Sequence, residues 1–254
     1  MRATIHEKLN EIERRERVKV LLAVESGSRA WGFASPDSDY DVRFIYMRPA
    51  EDYLRLEKLR DVIELPISDA LDINGWDLQK TLRLLYGSNP TLFEWFSSPI
   101  VYRETPFAAE FRALMNSYFS TKKSLYHYIS MAENNYRSYL RGERVRAKKY
   151  FYVLRPVLAC RWVLDHGTPP PMLFSVLAEA ELPKGLKSEV EGLLSLKMNA
   201  PEIREIPKIE ALNAYLDESI AEIRARLSTL ADSDQHDWDT LNALFARTVS
   251  AAGN

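Results

Sequence analysis

Residues 18–24 (VKVLLAV) form a short run that is apolar at every position but one and rich in β-branched side chains. A strand of that kind has no polar face to offer water, so it must be covered on both sides, which places it in a sheet flanked by helices. The polar stretch before it, residues 4–16, carries apolar side chains at Ile5, Leu9 and Ile12, a spacing that predicts an amphipathic helix. Residues 25–39 (ESGSRAWGFASPDSD) then concentrate Gly, Ser, Pro and Asp, and Tyr40 to Met47 reads as a second strand. Residues 61–65 and 70–73 are further strand candidates. Helical periodicity starts at Gly75, a turn follows at residues 87–90 with a short helix to Phe96, and Ile100 to Tyr102 reads as an edge strand.

Beyond residue 104 only helical signals remain. Residues 107–119, 122–140 and 144–163 read as three successive helices, and 167–171 (GTPPP) is a break. Ile206, Ile209, Leu212, Leu216, Ile220, Ile223, Leu227 and Leu230 recur in steps of three and four, the core stripe of one long helix. The expected fold class is therefore α+β: an α/β unit with a mixed sheet over residues 1–104, followed by an all-helical domain over 105–254.

With 254 residues, 46% hydrophobic and 28% charged, the chain is long enough to bury a sizeable core and is neither disordered nor fibrous in composition. Its one cysteine, Cys160, excludes an intramolecular disulfide and a multi-cysteine zinc site, and fits a reducing compartment. Residues 1–17 are charged, unlike a secretory leader, and no apolar run approaches the roughly 18 residues of a membrane span. A cytoplasmic protein without a membrane partner is expected.

Gly27-Ser28 follows the buried strand directly, and Asp39-Tyr40-Asp41 opens the next one. A Gly-Ser turn lets the backbone bend sharply into a helix, where exposed N–H groups and a hydroxyl can hold phosphate oxygens. Side chains alternate along a strand, so Asp39 and Asp41 project from one face with Tyr40 on the other. Two carboxylates so placed repel unless a cation lies between them, and a hard ion such as Mg²⁺ binds through one or two carboxylates plus substrate phosphates.

Residues 26–44 (SGSRAWGFASPDSDYDVRF) carry a Gly-Ser turn followed by Asp-x-Asp and resemble the DNA polymerase beta superfamily of nucleotidyltransferases. Within it they are similar to the branch described as the RNA repair pathway DNA polymerase beta family. The likeness continues through residues 75–80, 89–95 and 148–156 and weakens after Pro171. It implies a polymerase-beta-type catalytic unit whose second, helical domain closes over the cleft, Mg²⁺ or Mn²⁺ as cofactor, an NTP substrate, and transfer of a nucleoside monophosphate to a hydroxyl acceptor, an RNA end. It assigns Asp39 and Asp41 to metal and to catalysis, and Gly27 and Ser28 to the triphosphate with help from Arg29. It also implies a third carboxylate on a later strand. Asp72, between Leu71 and Ile73, is favoured; Asp77 and Glu64 are the alternatives. Lys80 and Asn89 lie in the matching text but read as an exposed helix residue and a helix cap. Transfer onto a protein hydroxyl and a non-catalytic binding module are the rival readings.

The formal net charge of −2 is unevenly spread. Residues 137–161 hold eight Arg and Lys against one Glu, a formal +7, while residues 202–239 hold ten acidic against four basic residues, a formal −6. Lys148, Tyr152 and Arg155 share a helical face if the helix survives Pro156; there they suit a triphosphate or an RNA backbone, with Tyr152 stacking on a base. Arg161 and His166 match the two fixed positions of a HEPN-type ribonuclease motif. Cys160 reads as packing, and His6, His127 and His236 lack metal-ligand spacing.

Overall fold

The computed structural model describes residues 1–66, 70–199, 205–231 and 237–251. They form two compact units, neither contiguous in sequence: residues 1–27, 39–118 and 234–254 make the first, residues 28–38 and 119–233 the second. The sequence pattern alone suggests one seam near residue 104; the folded chain crosses between units four times.

In the first unit, α1 (Arg2–Glu16) leads through Arg17, at φ 52, into β1 (Lys19–Glu25). A four-residue helical turn, α2 (Gly27–Ala30), follows, and the chain returns as β2 (Tyr40–Met47). After α3 (Ala50–Tyr53) come β3 (Val62–Glu64), β4 (Leu71–Asp77), α4 (Leu78–Tyr86), α5 (Pro90–Phe96), β5 (Val101–Glu104) and α6 (Pro106–Met115). The sheet order is β3-β4-β2-β1-β5, with β2 and β4 parallel and the other pairs antiparallel, so the sheet is mixed as expected. Ile5, Leu9 and Ile12 of α1 pack on Val20, Ala23, Val42, Phe44, Tyr46 and Ile73, which buries one face of the sheet. A register shift between Val20 and Leu22 puts Val20 and Ala23 on that same face despite their odd spacing.

The strand β4 runs four residues past the expected end at Ile73. Gly75 reads as the start of helical text, but the ring of Phe44 lies against it: a Cβ there would meet the ring at 2.2 Å. The glycine marks a close approach between neighbouring strands and does not break one.

The second unit is built on α7 (Thr121–Tyr139) and α8 (Ala147–His166), with α9 (Phe174–Glu181), α10 (Lys187–Asn199) and α11 (Glu210–Thr229) around them. The helix expected from residue 144 starts at 147. Residues 144–146 form a strand, β6 (Arg144–Arg146), paired with β7 (Glu205–Pro207), so Ile206 of the apolar stripe opposes Val145 across a ladder instead of opening the helix. The rest of the stripe is core: Leu212, Leu216, Ile223 and Leu227 are buried. Pro156 lies inside α8, where it frees the carbonyl of Tyr152 four residues back; Asn135 Nδ2 donates to that oxygen at 3.1 Å, and the helix runs on. Residues 28–38 belong here because Phe33 is buried against Phe151 and Phe174, with centroids at 4.9 and 5.4 Å.

The last helix, α12 (Trp238–Ser250), gives no sequence signal strong enough to place it. It returns to the first unit, where Trp238 stacks on Tyr86 at 3.7 Å and Phe245 meets Tyr53. Among the described residues no helix is long and apolar enough to cross a membrane.

Candidate active site

Glu25 closes β1 and is fully buried, a position that costs a carboxylate dearly unless both oxygens are used. Both are. Oε1 accepts the backbone N–H of Asp41 at 2.8 Å, and Oε2 accepts the hydroxyl of Tyr102 on β5. The next residue, Ser26, donates its N–H to the carbonyl of Asp41 at 2.8 Å. Gly27 sits at φ +59 with its bare Cα against the Asp41 side chain; a Cβ there would lie 2.0 Å from Oδ2. Asp41 is therefore held through its N–H and its carbonyl by Glu25 and Ser26, and its carboxylate occupies the space that the absent Gly27 side chain leaves.

Asp72 is the register partner of Asp41 across the parallel β2–β4 pair, so the two side chains leave the same face of the sheet, the one opposite α1. Asp39, two residues before Asp41, is exposed, while Tyr40 packs with the α1-side core. The alternation is seen within β2 for Tyr40 and Asp41; Asp39 stands just before the strand. Of the two alternatives to Asp72, Asp77 is excluded from this face by parity. It is buried, caps α4 by accepting the Gln79 N–H at 2.8 Å, and accepts the Tyr53 hydroxyl at 2.9 Å. Burial pushes its pKa up, opposed by those two bonds. Glu64 shares the site's face but bonds Asn74 Nδ2 at 3.1 Å and Arg60.

Arg43 is the residue that sequence reasoning missed. Its Nη2 donates to Asp72 Oδ2 at 2.7 Å and to Asp41 Oδ1 at 3.1 Å, and Nη1 reaches the Asp72 carbonyl at 3.2 Å. The signal is in the text: a charge two residues after Asp41 in an otherwise apolar strand must share its face. Glu25 had a signal too, a carboxylate ending a fully apolar run. The oxygen donors of Asp39, Asp41 and Asp72 suit a hard divalent ion by chemistry. As arranged, the guanidinium supplies the cation for two of them, and among the described residues no three His, Cys, Asp or Glu side chains converge as a ready metal cluster.

The remaining predicted site residues lie in the second unit. The Ser28 carbonyl accepts the Phe33 N–H at 3.1 Å, and Arg29 Nη2 donates to the Ser38 carbonyl at 2.7 Å, closing its own loop. Lys148 and Tyr152 are partly exposed on α8. Arg155 does not share their exposure: it is buried, with its guanidinium 4.6 Å above the Trp31 ring and Nη2 3.6 Å from Met172 Sδ. Arg161 is committed to Ser219 and Glu222, both at 3.0 Å, and His166 stacks on Trp162. Cys160 is buried, and that burial pushes its thiol far above the ordinary range. His236 lies outside the described residues. Lys80 pairs with Asp61 at 3.3 Å.

A mixed sheet that carries paired carboxylates on adjacent strands, beside a Gly-Ser turn, defines a nucleotidyltransferase-type unit. The model of the RNA repair pathway DNA polymerase beta family matches residues 1–247, and the chain belongs to that family. An uncharacterized protein of Bacillus subtilis (strain 168), YcgL, is 48% identical over 251 residues, which span 98% of this chain and 96% of that protein. A crystal structure of a nucleotidyltransferase-like protein from Exiguobacterium sibiricum 255-15 aligns over 89% of this chain and 75% of its own, at 13% identity and a TM-score of 0.33.

Proposed function

We propose that the protein transfers a nucleoside monophosphate from an NTP to a hydroxyl acceptor, the α–β phosphoanhydride bond breaking to release pyrophosphate and the hydroxyl giving up its proton, and that the acceptor is an RNA end. The observation that carries the transfer chemistry is the register pairing of Asp41 with Asp72, with Asp41 fixed by Glu25, Ser26 and Gly27. The RNA acceptor is supported by the family's description and by the basic stretch of residues 137–161.

Asp39, Asp41 and Asp72 would hold Mg²⁺ or Mn²⁺. When bound, a divalent ion supplies charge neutralisation for the triphosphate and lowers the pKa of an attacking hydroxyl. The protein groups position and neutralise. Gly27 and Ser28 would offer backbone N–H groups and a hydroxyl to the triphosphate, with Arg29 next to them in the chain, and Arg43 holds the two sheet carboxylates together.

The test is incubation with each radiolabelled NTP, Mg²⁺ and total RNA, resolved by gel. Label on RNA that disappears in the Asp39→Ala, Asp41→Ala double variant is the expected result. Label on protein alone would move the acceptor from RNA to a protein hydroxyl, and full labelling by the double variant would remove the carboxylates from the chemistry.

A further inference from the structure

Within the second unit, three rings and two cations form a row of five side chains. Lys149 Nζ stands 3.8 Å from the centroid of Tyr139 and 4.5 Å from that of Tyr152. Tyr152 meets Trp31 edge-on at 6.4 Å, and the Arg155 guanidinium lies 4.6 Å from the other end of this row, over the Trp31 ring. Exposure falls along the row, from Tyr139 at 41% to Arg155 at 3%. The inner end is polar and incomplete: Trp31 Nε1–H is buried and has no acceptor among the described residues. A buried donor without a partner costs about 1–3 kcal/mol, which an oxygen from a ligand would recover. Close to Tyr139 and Lys149 in sequence, Arg137, Arg141, Arg144 and Arg146 are all exposed. Among the described residues Arg137, Arg141 and Arg146 make no ion pair with a carboxylate, and Arg144 reaches Glu205 only at 4.0 Å.

We propose that this row is the binding surface for a single-stranded RNA segment, the strand that brings the acceptor end. The inference rests on the RNA reading above and adds where the strand is held. Rings and cations side by side suit a chain of bases and phosphates, because each base has a face to stack and each phosphate needs positive charge nearby. A duplex keeps its base faces covered and cannot use the rings. An acidic peptide would use the arginines but gain little from Tyr139, Tyr152 and Trp31.

The experiment is fluorescence anisotropy of the full chain with a fluorescein-labelled, unstructured 12-nucleotide RNA, without NTP or metal, over a series of salt concentrations. Tyr139→Ala, an exposed position, is expected to weaken binding roughly fivefold or more while leaving the salt slope unchanged. The Arg137→Ala, Arg141→Ala double variant is expected to lower the log–log salt slope by about 1.4, two phosphate contacts on a single strand. Trp31→Phe, which keeps a ring and removes the N–H, is expected to weaken binding severalfold with helical content intact by circular dichroism. Absence of RNA binding at low salt, unchanged affinity and slope in these variants, equal affinity for a duplex of the same length, or a poly-glutamate peptide that binds as tightly and is indifferent to Tyr139→Ala would each overturn the proposal. Because no NTP is present, loss of the transfer reaction leaves this result untouched, and loss of RNA binding leaves the carboxylate chemistry untouched.

Discussion

The acidic face of the first unit and the basic row of the second are held in opposite ways. Asp41 is fixed at its N–H by a buried glutamate and at its carbonyl by the Ser26 N–H, and Asp72 is fixed by sheet register. The cations near Tyr139 in sequence stand on exposed helix ends and a two-stranded ladder, where Arg137 bonds Asn134 and Arg144 bonds the Glu205 carbonyl, both at the surface. The proposed metal-assisted transfer would tolerate little displacement of its ligands, a demand that rigid strands meet. A strand of nucleic acid tolerates sliding, so a band of charge and rings on helices suffices.

The largest expected effect lies on the rigid side. Asp41→Ala should cut nucleotide transfer by roughly a thousandfold or more, the scale on which removal of a group that stabilises transition-state charge is felt. Labelling kinetics with the intact chain would read it. A loss of less than tenfold would mean that the most constrained carboxylate is structural, and the contrast between the units would lose its chemical meaning.

Next comes the buried carboxylate behind it. Glu25→Ala leaves the Asp41 N–H and the Tyr102 hydroxyl without acceptors and opens a cavity, so it should cost about 2–4 kcal/mol in urea unfolding. Glu25→Gln retains one acceptor oxygen and should cost about 1 kcal/mol. Equal losses in the two variants would show that the negative charge, and not the hydrogen bonds, holds Asp41 in place.

Arg43 sharpens the comparison from another side, since it is a cation on the acidic face. Its guanidinium and a divalent ion compete for the same two carboxylates, so Arg43→Met should tighten Mn²⁺ binding about tenfold, on the order of 1.4 kcal/mol. Titration of Mn²⁺ followed by electron paramagnetic resonance measures this without any turnover. Unchanged or weaker binding would make Arg43 a partner of the ion and not its rival.

Much of this was legible in the sequence. The buried first strand, the Gly-Ser turn, the Asp-x-Asp parity and the apolar stripe of α11 all follow from local period and composition. What was not legible depended on partners distant in sequence. Gly75 reads as a breaker until Phe44 is placed over it. Residues 144–146 read as helix until Ile206 and its neighbours arrive to pair with them. Residues 28–38 read as loop of the sheet unit until Phe33 finds Phe151 and Phe174, and Arg155 reads as an open cation until Trp31 covers it. Asp72 was favoured by its apolar flanks, and parity then separated it from Asp77.

The smallest expected effect belongs to an ion pair on the helical side. Arg224 holds Glu133 with two contacts of 2.6 Å between α11 and α7, yet both side chains are about a third exposed, so solvent screens much of the attraction. Arg224→Met should therefore cost about 1 kcal/mol or less. The hydrogen bond from Arg224 holds the Glu133 pKa below the ordinary glutamate value. A carboxylate with a lowered folded pKa stabilises the fold above its unfolded pKa, and that share is lost as pH falls through the lowered value. The wild-type and Arg224→Met unfolding curves should accordingly differ at neutral pH and converge in acid. A gap that persisted below the lowered pKa would assign the loss to the packing of the arginine stem against α7, and the helical unit would then be held by contact more than by charge.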